Sequence, residues 1–200
     1  MGLDVHVIGE HTLMGDLKDF SSRVPELLDL HYDDSLLSAR IRRLIKPKFF
    51  REWTGRSWEL DLMGLSSLSE AIQTDNCVCF EGPLGMHIRV GLKSFDLSTP
   101  FRWWVFLEDE ALQQQLFNLI RRVTTALGGS TILIVPDNAT VTSGFQNLVM
   151  KPASIDEIQD KMLVEIGAPC PNAKELHLRK EADIDYDGYL MVNFDGSIQS

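Results

Sequence analysis

The chain has 200 residues, a hydrophobic fraction of 44 % and a formal net charge of −10, from 19 Lys and Arg against 29 Asp and Glu. That length and apolar content suffice for a core without metal or disulfide support, and the acidity excludes a nonspecific nucleic-acid binder, whose affinity comes from neutralising phosphates. Three cysteines, Cys77, Cys79 and Cys170, give no bridge framework, and no apolar run approaches the roughly 18 residues of a membrane span, so a cytoplasmic protein is expected.

Leu3, Val5 and Val7 alternate with His6 and Ile8, which predicts an opening strand covered on both faces. Gly9, Gly15, Asp16 and Asp19 interrupt any period and predict a loop over 9–20. Ser22 caps a short helix carrying Val24, Leu27 and Leu28, with Pro25 in the first turn, where no inward amide bond is lost. Asp34 caps a second helix to about Ile45, with Leu37, Ile41, Leu44 and Ile45 inward and Arg40, Arg42, Arg43 and Lys46 outward; Pro47 stops it. Its outer face opens a basic island. Residues 40–56 hold seven Lys and Arg and one acid, whereas residues 1–39 hold eight acids and two bases. Phe49, Phe50, Trp53 and Trp58 follow without a clear period.

Ser67 and Glu70 have capping-box spacing for a short helix to about Gln73. Cys77, Cys79 and Glu81 alternate with Val78 and Phe80 as a strand, and the turn at Gly82–Gly85 leads into a second strand over 86–92, which makes a hairpin. Phe101 to Leu107 reads as an interior strand. Asp109 caps a helix with the apolar stripe Leu112, Leu116, Leu119, Ile120, Val123 and Leu127, ended by Gly128 and Gly129, and Thr131 to Val135 is again β-prone. Residues 101–135 therefore form a strand-helix-strand unit. Residues 138–153 carry little pattern. Ser154 and Glu157 form a second capping box for a helix lined by Ile155, Ile158, Met162 and Ile166. Leu176 and Leu178 mark a short strand, and residues 183–200 a C-terminal hairpin around Asp187 and Gly188 with a short tail. The expected fold is one α+β domain over 1–200, a mixed or mainly antiparallel sheet packed against several amphipathic helices.

Asp183, Asp185, Asp187 and Gly188 match the opening of a calcium loop, but Phe194 stands where the bidentate carboxylate belongs, so an Asp-Gly turn is expected in place of a metal site, and no cofactor is expected. Cys77 and Cys79 are one residue apart, which suits core thiols better than a zinc knuckle; His87 could meet Cys79 across the hairpin. His-Glu-x-x-His, Gly-x-Ser-x-Gly and phosphate-loop patterns are absent from the sequence. Asp137 follows the apolar Ile132–Pro136 run at a strand end, where acids serve as bases or metal ligands. Arg102, between large apolar residues, calls for an acid such as Glu108, because an unpaired buried charge is costly.

Charge patterning points to an acidic, non-catalytic protein-binding module, immunity-like or neutralising a basic partner. Arg40, Arg43, Arg51 and Arg56 with Trp53 and Trp58 supply contact anchors, and Asp183, Asp185 and Asp187 supply the acidic contacts. A homo-oligomer is compatible with this reading. The alternative is a small hydrolase or other enzyme with a dispersed site built from Asp137, His87 and Arg102.

Overall fold

A strand buried on both faces needs a neighbour at each edge and cover above and below. β1 (Asp4–Glu10) has all four. It lies between β5 (Ser94–Arg102) and β6 (Thr131–Pro136), in the interior of a seven-stranded sheet. The structure is a computed structural model and describes residues 4–13, 59–61, 67, 69–70, 73, 76–82, 85–136, 142–183 and 186–194. With β2 (Glu59–Asp61), β3 (Val78–Glu81), β4 (His87–Val90) and β7 (Leu190–Asn193), the strand order is β2-β3-β4-β5-β1-β6-β7, and every pairing is antiparallel.

Among the described residues, five helices cover the sheet: α1 (Trp103–Glu108), α2 (Glu110–Ala126), α3 (Thr142–Met150), α4 (Ile155–Glu165) and α5 (Ala173–Ala182). One sheet face presents Val5, Val7, Ile88, Phe95, Leu97 and Ile134 to α1, α2 and α5, packing on Phe106, Leu112, Leu116, Ile120 and Leu176. The other face presents Ile8, Leu133 and Val135 to Phe145 and Val149 of α3 and Ile158 and Met162 of α4. This second cover lies over the β1–β6 half of the sheet, against strands whose outward residues are apolar.

Local signals agree with the elements where both cap and stripe are present. Asp109 accepts from the Leu112 amide at 3.0 Å and starts α2, whose inward residues are those of the expected stripe. Leu127 and Gly128 (φ 78°) end it, the positive φ being the reason glycine stands there. Ser154 and Glu157 exchange both bonds of the capping box at α4, and the Glu70 amide donates to Ser67 Oγ at 3.2 Å. The β3–β4 hairpin is formed as expected. The two expected helices at 22–30 and 34–45, and the aromatic segment at 49–58, lie outside the described residues.

Four expectations change. Trp103–Leu107 is helical, not a strand: Trp103, Phe106 and Leu107 are the buried residues, a spacing of three and four that an almost wholly apolar run hides. The strand of that unit is β5, eight residues of which precede Arg102 and had no strand expected over 94–100. Leu176 and Leu178 lie on α5, started by Asn172 Oδ1 accepting from the Glu175 amide at 2.8 Å; Leu176 is buried and Leu178 exposed, as a helix places neighbours two apart. The C-terminal hairpin is replaced by β7 lying antiparallel to β6, with residues 186–189 held instead by the Cys170 amide donating to the Tyr189 carbonyl and Lys180 Nζ donating to the Tyr186 carbonyl. The weakly patterned 138–153 stretch contains α3.

Gly91, between β4 and β5, sits directly beneath α3: a Cβ there would overlap the Val149 carbonyl oxygen and press on Val149 Cγ1. Backbone cannot swing aside as a side chain does. Gly91→Ala should therefore cost about 1–3 kcal/mol in urea unfolding by displacing α3, whereas Gly144→Ala, with open space around its Cβ position, should not destabilise.

Candidate functional site

The strand register decides which side chains share the face that α3 and α4 leave uncovered. Because side chains alternate, cross-strand partners form rows over the sheet. One row reads Leu133, Ile8, Asp96, Arg89, Cys79, Asp61; the next reads Val135, His6, Ser98, His87, Glu81. Each is apolar at the β6 end and polar beyond it. A cavity of about 220 Å³ opens on the polar part, and its walls include His6, Asp61, His87, Arg89, Asp96 and Ser98.

Asp96 is 1 % exposed, and an isolated carboxylate there would be prohibitively costly. Two neighbours compensate it. Arg89 donates from Nε at 3.0 Å and from Nη2 at 2.6 Å to Oδ2, and His6 Nδ1 lies 3.2 Å from Oδ1. Burial pushes the Asp96 carboxyl up, but the hydrogen bond from His6 and the Arg89 charge outweigh it and hold it below its ordinary value. Burial likewise works against the Arg89 guanidinium, and Asp96 more than offsets it. Arg89 Nη1 also reaches Met150 Sδ at 3.5 Å, which ties the network to α3.

Beside this network, Asp61, Glu81 and His87 bring one ligand atom each to within 4.8 Å of one another. Among the described residues this is the group of His, Cys, Asp and Glu side chains arranged to hold a metal ion. Glu81 and His87 are direct cross-strand partners, and Asp61 comes from the next strand, β2. Asp61 and Glu81 are half-buried and His87 is exposed, so the group has a protein side and an open side.

Of the residues singled out from sequence, His87 and Cys79 line this cavity. Arg102 does not: it is four residues beyond Ser98, roughly 13 Å along the strand, and its Nη1 donates to Asp4 Oδ1 at 2.8 Å near the surface, not to Glu108. Asp137 and Asp185 lie outside the described residues, as do Arg40, Arg43, Arg51, Trp53, Arg56 and Trp58. Asp183 is exposed at the end of α5 and Asp187 is half-buried before β7. The register places Arg89, not His87, opposite Cys79. The hydrogen bond with Cys77, 4.0 Å away, together with burial pushes the Cys79 thiol far up, so it stays protonated and is a poor nucleophile.

His6, Asp61, Glu81, Arg89, Asp96 and Ser98 were not singled out as site residues. Their signal was present in the alternation of Ser94, Asp96 and Ser98 with Phe95, Leu97 and Thr99, which describes a strand with one polar face. Pro100 obscured it. That proline brings no amide to the ladder where the β1–β5 register shifts, and there Thr99 Oγ1 donates to the Val5 carbonyl at 2.9 Å.

The depressed Asp96 carboxyl has a definite acid signature. Its contribution to stability is fully present above the unfolded value near 3.8 and is lost as pH falls through the lower folded value. Asp96→Asn should cost about 3–5 kcal/mol at neutral pH, because it strands the Arg89 charge. It should also flatten the decline in unfolding free energy below pH 4, measured by denaturant titration across pH; an unchanged acid limb would contradict this assignment.

No protein-family model matches the chain, and no curated protein and no solved structure matches it either.

Proposed function

We propose that the protein is a hydrolase that uses a divalent cation held by Asp61, Glu81 and His87 on the polar half of the sheet. The single observation that supports this is the convergence of these three ligand atoms within 4.8 Å. Bonds to a first-row divalent ion are about 2.0–2.2 Å long, so adjacent ligand atoms around such an ion lie near 3–4 Å apart, a spacing close to that of this set. Three protein ligands leave a coordination position open, the arrangement of a catalytic site as opposed to a closed structural one. Carboxylates and an imidazole together suit Mn²⁺ or Zn²⁺.

His87, the exposed member of the set, borders a cavity that also holds an imidazole, a hydroxyl and a compensated buried carboxylate. Asp61, Glu81 and His87 would hold the cation, and the chemistry it would supply there is Lewis-acid polarisation of a scissile carbonyl. This reading is preferred to the acidic binding module because it rests on groups brought together by the register of three strands, whereas the binding module rests on net charge. Among the described residues, no helix is long and apolar enough to cross a membrane. Cys77, Cys79 and Cys170 are buried thiols, with no disulfide among the described residues, which fits a reducing compartment such as the cytoplasm.

Two measurements on the full chain test the reading. Mn²⁺ at 100-fold over its dissociation constant should raise the thermal midpoint by about 5–10 °C, and Glu81→Gln should abolish most of that shift. Hydrolysis of p-nitrophenyl acetate should fall by about 100-fold on chelation or in His87→Ala. Equal Mn²⁺ stabilisation of the native chain and the Glu81 variant would remove the cation from this place.

A further inference from the structure

His6 Nδ1 lies 3.2 Å from Asp96 Oδ1, and Ser98 Oγ lies 3.4 Å from His6 Nε2. An ionised carboxylate can only accept a hydrogen bond, so the first contact puts the imidazole proton on Nδ1. Nε2 then faces the Ser98 hydroxyl with its lone pair. The sheet dictates this order. His6 and Ser98 are cross-strand partners, and Asp96 is two residues before Ser98 on the same face of β5. His6 and Asp96 are buried at 8 % and 1 % exposure, while Ser98 is half-buried and borders the cavity. A hydroxyl reachable by substrate, an imidazole behind it and a sealed carboxylate behind that have the roles of a nucleophile, its base and the base's support, and the 3.4 Å separation is within the looser range of such sites without substrate.

We propose that Ser98 is the covalent nucleophile of this site, with His6 as its general base and Asp96 as a positioning residue, and that the substrate is a small carboxylic ester. The proposal rests on the hydrolase reading and deepens it by naming the attacking atom and the substrate class. A cavity of about 220 Å³ admits a short acyl group and little more.

In the first step Ser98 Oγ forms a bond to the ester carbonyl carbon and its proton passes to His6 Nε2. The carbon–oxygen bond to the alcohol then breaks, and the departing alkoxide takes that proton. In the second step a water molecule gives a proton to His6 and attacks the acyl carbon. The bond to Ser98 Oγ breaks, and the serine oxygen recovers the proton, so ester and water become acid and alcohol. His87 is the cross-strand partner of Ser98, so a cation held by His87 with Asp61 and Glu81 would supply positive charge near the reacting carbonyl, the part an oxyanion hole otherwise plays.

The full chain treated with an alkyl fluorophosphonate, once in chelator and once in Mn²⁺, should acquire one adduct, mapped by peptide mass to Ser98. Ser98→Ala should lose both the adduct and p-nitrophenyl acetate turnover, and His6→Gln should slow labelling by about 100-fold or more. The histidine ¹⁵N spectrum of the unmodified protein should show His6 protonated at Nδ1 and not at Nε2, the tautomer that leaves Nε2 free to accept the Ser98 proton. Absence of the Ser98 adduct in both conditions, retained turnover in Ser98→Ala, or the opposite His6 tautomer would overturn the proposal. The two readings separate cleanly. A Ser98 adduct without Mn²⁺ stabilisation keeps the nucleophile and removes the cation; Mn²⁺-dependent turnover without a Ser98 adduct keeps the cation and removes the nucleophile.

Discussion

A carboxylate sealed inside a sheet constrains everything around it. Asp96 sits at 1 % exposure in β5, and without compensation its charge would disfavour the folded state by several kcal/mol. Compensation has to come from the two flanking strands, and it does: Arg89 from β4 and His6 from β1. Once these three are fixed on one face, the alternation of strands fixes which face Val90, Phe95, Leu97, Val5 and Val7 occupy, and hence where α1 and α2 must pack. A one-residue slip at β4 or β1 would bury Asp96 beside Val90 or Val7 instead. The ion pair thus specifies register, while net stability comes from the apolar face.

The same division explains how a polar cavity survives on a sheet. The face under α1, α2 and α5 is apolar apart from Thr99, whose hydroxyl is bonded to the Val5 carbonyl, so it can carry the burial that folding needs. The opposite face is shared. Its β1–β6 side is closed by α3 and α4 over Leu133, Val135 and Ile8, and the part from His6 of β1 outward to β2 carries Ser98, His87, Glu81 and Asp61. Met150 of α3 and the Arg89 guanidinium meet at the boundary, and Gly91 lets α3 approach close enough for that contact. The candidate site is thus held on strands, whose backbones are fixed by their ladders, and not on loops.

Sequence patterning revealed the elements that announce themselves twice. α2 and α4 have both a capping residue and an apolar stripe, and β1 and β6 have period-two alternation with a buried residue on each side. The elements that were hard to read are those in which one rule overrides another. Trp103 to Leu107 is apolar at nearly every position, so neither period is visible, and only the burial of Trp103, Phe106 and Leu107 tells helix from strand. Ser94 to Arg102 alternates correctly but contains Asp96 and Pro100, residues rare in central strands; the first is held by a salt bridge from seven residues earlier and the second stands at a register shift. That is why the candidate site escaped notice from sequence: its nucleophile and its buried acid lie on the strand that looked least like one. His87 stood out on its own, but its partners Asp61 and Glu81 are brought to it only by strand pairing across 6 and 26 residues of chain, which no local motif encodes.

The central claim is that strand register turns the scattered residues Asp61, Glu81 and His87 into one cation site. Diffraction from crystals grown with saturating Mn²⁺, recorded at the manganese edge, tests it most directly. The account requires an anomalous peak bounded by these three side chains, about 2.0–2.2 Å from a ligand atom of each. Manganese bound elsewhere on the chain, with no anomalous density between them, would contradict it.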